Sequence, residues 1–230
     1  MLGFAVENDL IGENLLAGAK RRGGTERSKD RVLSDAEVKA LWEALETSVG
    51  PSIKLALRTI LLTCARPGEV AAMRRDELDL DAKDGALWTI PGDRTKNGRL
   101  HVVPLSATAV ACIREAMAHS DKIGGGVYVF CSRYEAAESI ARHSMSQAVK
   151  RIIAAMNEAK PDSAKPFSPH DLRRTGATLA RAEGAERDAV SALLNHTRSD
   201  VTGVYDRYDM LKEKREVVEL LAKRVARIIG

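Results

Sequence analysis

The chain contains few cysteines, no CxxC pair and no long apolar run. Its three cysteines (Cys64, Cys112 and Cys131) lie far apart in the sequence. This spacing argues against a disulfide framework and against a zinc site, and it is typical of small core residues in a reducing compartment. Because the sequence also shows no signal peptide and no membrane-spanning stretch, we expect a soluble cytoplasmic protein.

Aromatic residues are also scarce, at 4% of 230 residues, whereas hydrophobic residues make up 44%. The core must therefore be built mainly of leucine, valine, isoleucine and alanine, a composition that favours helices. The length suits one domain of ordinary size with a small appendage. A net charge of +4 is a mild basic bias, which is compatible with nucleic-acid binding but also occurs in proteins that bind none.

A basic, glycine-containing segment near the start predicts the domain organisation. Six basic residues surround a glycine pair within Lys20–Arg31, which is the composition of a linker. Residues 1–20 have a helical pattern but are too few to form a domain. We therefore expect an N-terminal appendage with its linker over residues 1–31 and one main domain over residues 32–230.

Hydrophobic periodicity predicts a mainly α fold with one small antiparallel β-sheet. A helix is expected from Ser34, where Glu37 completes a capping box. Between the helices, two apolar runs flank Asn97-Gly98, the strongest short-range signal of a β-hairpin, and residues 128–130 suggest a third strand. The other helices are expected over residues 52–65, 68–78, 106–119, 142–159, 169–183, 186–194 and 210–229.

The stretch "SPHDLRRTG" combines a helix start with two cationic or titratable side chains. Ser168 suits the N-cap, and Asp171 completes a capping box. His170 then lies in the first turn, where free backbone N–H groups attract an anion, and Arg173 follows one turn later on the same face. This pattern predicts a phosphate site, but it also fits a capped surface helix with incidental charges.

Three further residues have both a chemical and a plain interpretation. Arg66 follows the most apolar helix. Glu69 could orient its guanidinium for a ligand through a bidentate pair, or the Arg66–Glu69 salt bridge could simply tie two helices together. Lys96 is expected at the hairpin tip, where lysine often serves solubility. His196 follows Asn195 at a helix end and could be a C-capping histidine.

Taken together, these side chains favour metal-free phosphoryl transfer. Two guanidinium groups can hold the non-bridging oxygens of a phosphate, a lysine can protonate a leaving alkoxide, and cationic neighbours can activate a tyrosine hydroxyl. A metal-dependent nuclease would need converging carboxylates, and the sequence shows none. We therefore expect no metal at this site.

At these positions the sequence resembles the catalytic domain of tyrosine recombinases, in particular phage-type and genomic-island integrases. Residues 65–69, Ala-Arg-Pro-Gly-Glu, match the family's first arginine box, and Lys96 in "RTKNGR" matches its hairpin lysine. Residues 170–173 match its H-x-x-R box. His196 matches the later histidine, with Asn195 in place of the more usual glycine.

The resemblance also separates the two tyrosines near the end of the chain. In the family the nucleophilic tyrosine typically lies about nine residues after the later histidine, and Tyr205 lies nine residues after His196. Tyr208, one helical turn further on, is then a supporting residue.

The resemblance implies DNA strand cleavage and rejoining through a 3′-phosphotyrosyl link, without a metal or cofactor, within a tetramer on double-stranded att-type DNA. It further implies integration or excision of a phage or genomic island at the bacterial nucleoid, with accessory DNA-bending or excision factors as possible partners. The implied roles are a phosphate clamp for Arg66 and Arg173, a general acid for Lys96, proton transfer for His170, transition-state support for His196 and the nucleophile for Tyr205.

Three questions stay open at the level of sequence. Residues 1–31 resemble only the tail of the family's N-terminal DNA-binding domain, so we expect weak, largely non-specific and salt-dependent DNA affinity. An inactive DNA-binding remnant and a type IB topoisomerase are alternative functions. The amphipathic last helix, with its stripe of Met210, Val217, Leu221 and Ile228, could pack on its own core or on a neighbouring protomer.

Overall fold

A computed structural model describes residues 6–14, 31–135, 137–196 and 210–230. The chain divides into two compact units, Met1–Asp30 and Arg31–Gly230. Most of the predicted linker, Tyr205 and Tyr208 lie outside the described residues.

All but one of the described helices of the larger unit begin and end within a few residues of their predicted bounds. The exception is the helix predicted over residues 68–78, which ends at Ala71, because residues 73–75 hydrogen-bond to residues 127–129 instead of continuing the helix. In the first helix of this unit, Glu37 accepts a hydrogen bond from the Ser34 backbone N–H at 2.9 Å, and the Glu37 N–H donates to the Ser34 hydroxyl at 3.3 Å, which confirms the expected capping box. The helices are α1 (Asp35–Ser48), α2 (Pro51–Thr63), α3 (Pro67–Ala71), α4 (Ala107–Lys122), α5 (Arg142–Ala159), α6 (Pro169–Ala182), α7 (Arg187–Leu193) and α8 (Leu211–Ile229).

Helix α2 forms the centre of the hydrophobic core. Every residue from Leu55 to Thr63 is buried, so the helix has no solvent-facing side over that length. It packs against α4 on one side and α6 on another, while α1 packs against α5. The end of α2 is therefore held firmly, and the chain that leaves it enters the region of the predicted site.

A three-stranded antiparallel sheet lies between α3 and α4 in the sequence. It consists of β1 (Leu78–Asp79), β2 (Leu87–Ile90) and β3 (His101–Pro104) in the order β1-β2-β3, with Ile90 opposite His101. The predicted mainly α fold with one small antiparallel sheet is confirmed.

Two details of the predicted sheet are wrong. Strands β2 and β3 are joined by residues 91–100, which include a 3₁₀ turn over Gly92–Arg94, and not by a two-residue turn at Asn97-Gly98. Residues 128–130 form no strand of this sheet. Tyr128 makes an isolated bridge to Arg74, and the third strand is the short β1.

The last helix packs on its own core. Val217 and Leu221 are buried, and Met210 and Ile228 are partly buried against the same core cluster. The buried Lys214 donates from Nζ to the Val102 carbonyl in β3 at 2.7 Å. The stripe predicted from the sequence thus docks within the chain. Across the described parts of the chain, the helices are all too short or too polar to cross a membrane.

Candidate active site

Arg66 lies on an extended segment between α2 and α3. Cys64 adopts a left-handed conformation, with φ of 54°, and ends α2 by turning the chain away from the helix axis. Arg66 itself is extended, with φ of −69° and ψ of 142°, as expected for a residue before proline. The side chain therefore leaves the core at the end of the most buried helix.

Glu69 fixes Arg66 by two different hydrogen bonds. One carboxylate oxygen accepts from the Arg66 backbone N–H at 2.9 Å, and the other accepts from Nη1 at 2.8 Å. The predicted bidentate grip on the guanidinium is thus wrong in detail, because one oxygen is used by the backbone. Glu69 is 5% exposed, whereas the Arg66 side chain is 22% exposed, so the guanidinium lies at the edge of the core.

The first turn of α6 is closed by local contacts. Asp171 accepts hydrogen bonds from the Ser168 backbone N–H at 2.8 Å and from its hydroxyl at 2.7 Å. Its other carboxylate oxygen accepts from Arg174 at 2.8 Å. His170 is exposed in the same turn, as the capping pattern predicted.

Arg173 is buried and bonded at two points. It is 4% exposed, and its Nη1 and Nη2 donate to the Cys64 carbonyl at 2.7 Å and to the Leu194 carbonyl at 2.6 Å. Burial, and next the nearby charge of Arg66, lower the pKa of Arg173 to about 10. Even so, the guanidinium remains positively charged at neutral pH, and its two bonds join the end of α2 to the end of α7.

Gly176 allows α6 to approach α2 closely. A Cβ atom at this position would lie 2.4 Å from the Leu61 carbonyl oxygen and 2.8 Å from the Cys64 sulfur. The position lies three residues after Arg173, on the same face of α6. A residue without a side chain is therefore needed where this helix presents Arg173 to the Cys64 carbonyl.

Helix α7 ends in a Schellman motif. The His196 N–H donates to the Ser191 carbonyl at 3.2 Å, and the Asn195 N–H donates to the Ala192 carbonyl at 3.0 Å. Asn195 is left-handed, with φ of 48°, as the sequence suggested. The turn places the exposed His196 immediately after the helix end.

The last carbonyls of α7 are capped by side chains from other parts of the chain. An α-helix leaves its final carbonyls without intrahelical partners, and cations are favoured there by the helix dipole. The donors come from β3, α6 and the segment before α3, so the fold gathers three distant segments at this point. The contacts are His101 Nε2 with the Leu193 carbonyl at 3.1 Å, Arg173 Nη2 with that of Leu194 at 2.6 Å and Arg66 Nη2 with that of Asn195 at 3.5 Å.

The two predicted histidines share the electrostatic environment of both arginines. The pKa of His170 is lowered first by desolvation, then by the charges of Arg173 and Arg174 and less by Arg66, while Asp171 opposes the shift. The pKa of His196 is lowered by partial burial and then by Arg173 and Arg66. The lowered pKa values favour the neutral form of both rings at pH 7, and a neutral imidazole has one nitrogen that can accept a proton and one that can donate a hydrogen bond.

Lys96 lies in the segment between β2 and β3, and its side chain is exposed. The adjacent Asn97 donates from its amide to the Asn195 side-chain oxygen at 2.7 Å. Closer to β2, Arg94 donates to the Glu69 carbonyl at 3.2 Å. These contacts bring the lysine-bearing segment to the end of α7 and to the Arg66–Glu69 segment.

The structure thus joins the segments that carry the predicted site residues around the α7 C-terminus. Arg66 and Arg173 both donate to backbone carbonyls there, and Glu69 holds Arg66. His170 and His196 lie within the field of the two arginines. Tyr205 lies outside the described residues. Within the described ranges, no group of three or more histidine, cysteine, aspartate or glutamate side chains has the arrangement of a metal site.

Sequence reasoning missed the role of His101. This residue is 5% exposed, and burial, followed by the charge of Lys214, lowers its pKa to about 3. Because a carbonyl oxygen can only accept a hydrogen bond, the single N–H of the neutral ring must be on Nε2, which donates to the Leu193 carbonyl. The only signal in the sequence was a histidine at the start of the apolar run "HVVP". The Asn97–Asn195 contact was missed as well.

The chain matches a known protein family and several curated proteins. The model described as "Phage integrase family" matches residues 31–212. Prophage integrase IntA of Escherichia coli (strain K12) is 30% identical over 190 residues, which cover 80% of this chain and 42% of that protein. Prophage integrase IntZ of the same strain is 25% identical over 229 residues, covering 99% and 53%. The chain therefore spans about half the length of these curated relatives.

Solved structures share the fold at lower identity. The integrase from mycobacterium phage Brujita superposes with a TM-score of 0.61 at 19% identity, covering 100% of this chain and 73% of that one. A lambda integrase tetramer bound to a Holliday junction gives a TM-score of 0.55 at 22% identity, covering 90% and 56%. The family match extends over most of the unit that contains the candidate site, and this chain therefore belongs to the phage integrase family.

Proposed function

We propose that this chain is the catalytic domain of a site-specific DNA recombinase that integrates or excises a mobile element. The observation that carries the proposal is the convergence of Arg66 and Arg173 at the C-terminus of α7, beside His196. Two guanidinium groups from separate segments can contact the non-bridging oxygens of one phosphate and offset the charge that develops during displacement.

The proposed reaction is an in-line displacement at phosphorus. The Tyr205 hydroxyl oxygen forms a bond to phosphorus, the bond to the 5′ oxygen breaks, and its electron pair stays on that oxygen. Lys96 supplies the proton that the 5′ oxygen takes up, while His170 assists removal of the tyrosine proton and His196 supports the transition state. The product is a 3′-phosphotyrosyl link, and attack by a 5′ hydroxyl rejoins the strand. No metal or cofactor enters these steps.

The role of Tyr205 rests on its position nine residues after His196. A tyrosine hydroxyl has a reference pKa near 10, so it needs cationic and proton-accepting neighbours to react near neutral pH. Arg66, Arg173 and the neutral His170 would supply that environment. Tyr208 is proposed as a supporting residue only.

The proposed partner is double-stranded DNA with att-type sites, bound by a tetramer of the recombinase in the bacterial cytoplasm at the nucleoid. The net charge of +4 and the family relationship support this proposal, as does the lambda integrase tetramer on a Holliday junction. Accessory DNA-bending or excision factors are proposed as further partners. Residues 1–31 are proposed to be the tail and linker of an N-terminal DNA-binding domain, and residues 32–230 the catalytic domain.

A nicked suicide duplex tests the proposal directly. The wild-type chain is incubated with a duplex that carries the attachment site and a nick next to the scissile phosphate, so that the short leaving strand diffuses away. Denaturing electrophoresis should then show a covalent protein–DNA band. Tyr205→Phe should abolish this band, and the matched control Tyr208→Phe should retain it.

Other outcomes would select a different function. A covalent band that persists in Tyr205→Phe and disappears in Tyr208→Phe would assign the nucleophile to the other tyrosine. The absence of any band for the wild type on attachment-site DNA would favour an inactive DNA-binding remnant. Relaxation of a supercoiled plasmid that has no attachment site would favour a topoisomerase.

A further inference from the structure

The side chains of Asn97 and Asn195 form a pair that joins the β2–β3 connection to the end of α7. The Asn97 amide donates to the Asn195 side-chain oxygen at 2.7 Å, and the Asn195 amide lies 3.4 Å from the Asn97 oxygen. Both residues are partly buried, and they are 98 positions apart in the chain. One partner precedes His196, and the other follows Lys96, so the pair connects two proposed site residues.

The β2–β3 connection has internal contacts that hold it together. The Thr95 hydroxyl is 2.8 Å from the Arg99 carbonyl oxygen and 3.0 Å from that of Gly92. A Cβ atom on Gly92 would lie 2.6 Å from the Gly98 carbonyl oxygen, so the two arms of the connection are in close contact. We therefore expect the segment to move as one piece, and its contacts with the rest of the fold decide where Lys96 lies.

Asn195 has a backbone conformation that glycine would adopt at lower cost. Its φ of 48° is in the left-handed region, which other residues occupy at a cost of roughly 1 kcal/mol relative to glycine, with asparagine among the best tolerated. The closing turn of α7 alone therefore gives no reason for a side chain here. The amide that is present contacts the lysine-bearing segment.

We propose that Asn195, through its contact with Asn97, is a positioning residue that holds Lys96 in place to protonate the 5′ leaving oxygen. This inference rests on the proposed function. The proton leaves Lys96 Nζ as the bond between phosphorus and the 5′ oxygen breaks, and the oxygen keeps the bonding electron pair. If the β2–β3 connection were held less firmly, Arg66 and Arg173 would still hold the phosphate. Lys96 would then be close enough to the 5′ oxygen to protonate it in a smaller fraction of the tyrosine attacks.

Asn195→Gly is the variant that isolates this contact. Glycine keeps the left-handed turn, the backbone carbonyl that contacts Arg66 and the hydrogen bonds that close α7. Only the amide is lost. Asn97→Ala is less clean by itself, because the Asn97 oxygen also accepts from the Arg99 N–H at 3.2 Å within the connection.

The decisive readout compares two leaving groups. Single-turnover cleavage is measured with a nicked duplex and with the same duplex carrying sulfur in place of the bridging 5′ oxygen. A thiol has a reference pKa near 8.5, far below that of an alcohol, so the thiolate leaves without protonation. A substitution that acts only through the general acid lowers the cleavage rate of the oxygen substrate and leaves that of the sulfur substrate unchanged.

We expect Asn195→Gly to slow cleavage of the oxygen substrate by roughly tenfold and to change the sulfur substrate by less than about twofold. Lys96→Ala should show the same selectivity with a larger loss, on the order of 10² to 10⁴. The control Leu100→Ala, an exposed side chain in the same connection, should leave the ratio of the two rates unchanged.

A double variant tests whether Asn195 acts on Lys96 through its contact with Asn97. Asn97→Ala and Asn195→Gly remove the same pair, so the double variant should be about as selective as the more selective single variant. A double variant whose selectivity equals the product of the two single-variant selectivities would contradict the inference. So would an Asn195→Gly chain that cleaves both substrates at wild-type rates, and so would one that is slowed equally on both. A wild-type chain that cleaves neither substrate would overturn the proposed function, and the positioning inference would fall with it.

Discussion

The first turn of α6 and the last turn of α7 both contribute to the candidate site, but they are stabilised in different ways. The α6 N-terminus is closed by Ser168 and Asp171, which are three residues apart. The α7 C-terminus is capped by His101, Arg66 and Arg173, none of which belongs to α7. One helix end is thus completed by its own sequence and the other by the tertiary fold.

This difference shows where the site depends on the whole molecule. The turn that carries His170 can form as soon as α6 forms, because its capping partners are local. The turn that carries His196 is complete only when β3, α6 and the end of α2 are in place. Substitutions at the two ends should therefore differ in their effects on folding and on catalysis.

The largest effect is expected for Arg173→Ala. The change removes half of the proposed phosphate clamp and leaves the carbonyls of buried Cys64 and partly buried Leu194 without their donor. We expect a loss of cleavage of at least about 10²-fold and a loss of about 3 kcal/mol in the free energy of unfolding. Covalent-complex formation and urea unfolding, followed by circular dichroism, measure the two effects.

Arg181 is the matched control for this change, since it lies in the same helix and its guanidinium contacts the nearby Ala185 carbonyl. Arg181→Ala should cost about 1 kcal/mol or less and leave cleavage intact. Equal destabilisation by both substitutions would show that the capping of α7 by Arg173 contributes no more to the free energy of unfolding than an ordinary surface contact.

The next largest expected effect is a dependence of the free energy of unfolding on pH, caused by His101. Its pKa is about 3 in the folded chain and near 6.5 when unfolded, so between these values the unfolded state binds more protons. Stability is then lost as the pH falls below about 6.5. Between pH 7 and pH 5 this residue should account for a loss of about 2 kcal/mol in the free energy of unfolding.

His101→Gln removes the titration but keeps a donor near the Leu193 carbonyl. Chemical denaturation at pH 7 and pH 5 should show a smaller pH effect in the variant, by about 2 kcal/mol. The same pH dependence in both proteins would mean that the histidine is protonated in the folded state without cost.

The smallest effect is expected at the self-contained helix end. Ser168→Ala removes the hydroxyl of the capping box and should lower the free energy of unfolding by about 1 kcal/mol. Ser168→Thr keeps a hydroxyl that can donate to Asp171 and should recover most of that loss. A loss well above 2 kcal/mol in thermal or urea unfolding would indicate that this end also depends on distant contacts.

The same division explains which parts of the molecule the sequence could predict. Most helix bounds followed from apolar periodicity and capping residues, with α3 the exception, and the Ser168–Asp171 box located the turn that carries His170. The α7 end was predicted only as a left-handed turn at Asn195, because its three capping donors come from distant segments. No local pattern signals a contact such as Asn97–Asn195 between residues 98 positions apart.

The errors in the sheet have physical causes as well. Gly98 does adopt a positive φ, of 71°, but within a longer connection that Thr95 closes from inside. The run at residues 128–130 is apolar because Val129 and Phe130 are buried in the core. A buried segment that makes only an isolated bridge has the same sequence pattern as a short buried strand.

The contact at Gly176 has a consequence for how this fold can vary. Helices α2 and α6 meet there through backbone atoms, with the Leu61 carbonyl where a side chain would begin. Larger or smaller core residues elsewhere can be accommodated by repacking, but a contact between two backbones leaves nothing to repack. The distance between the segments that carry Arg66 and Arg173 is therefore a fixed dimension of the molecule, which a substitution can disrupt but cannot finely adjust.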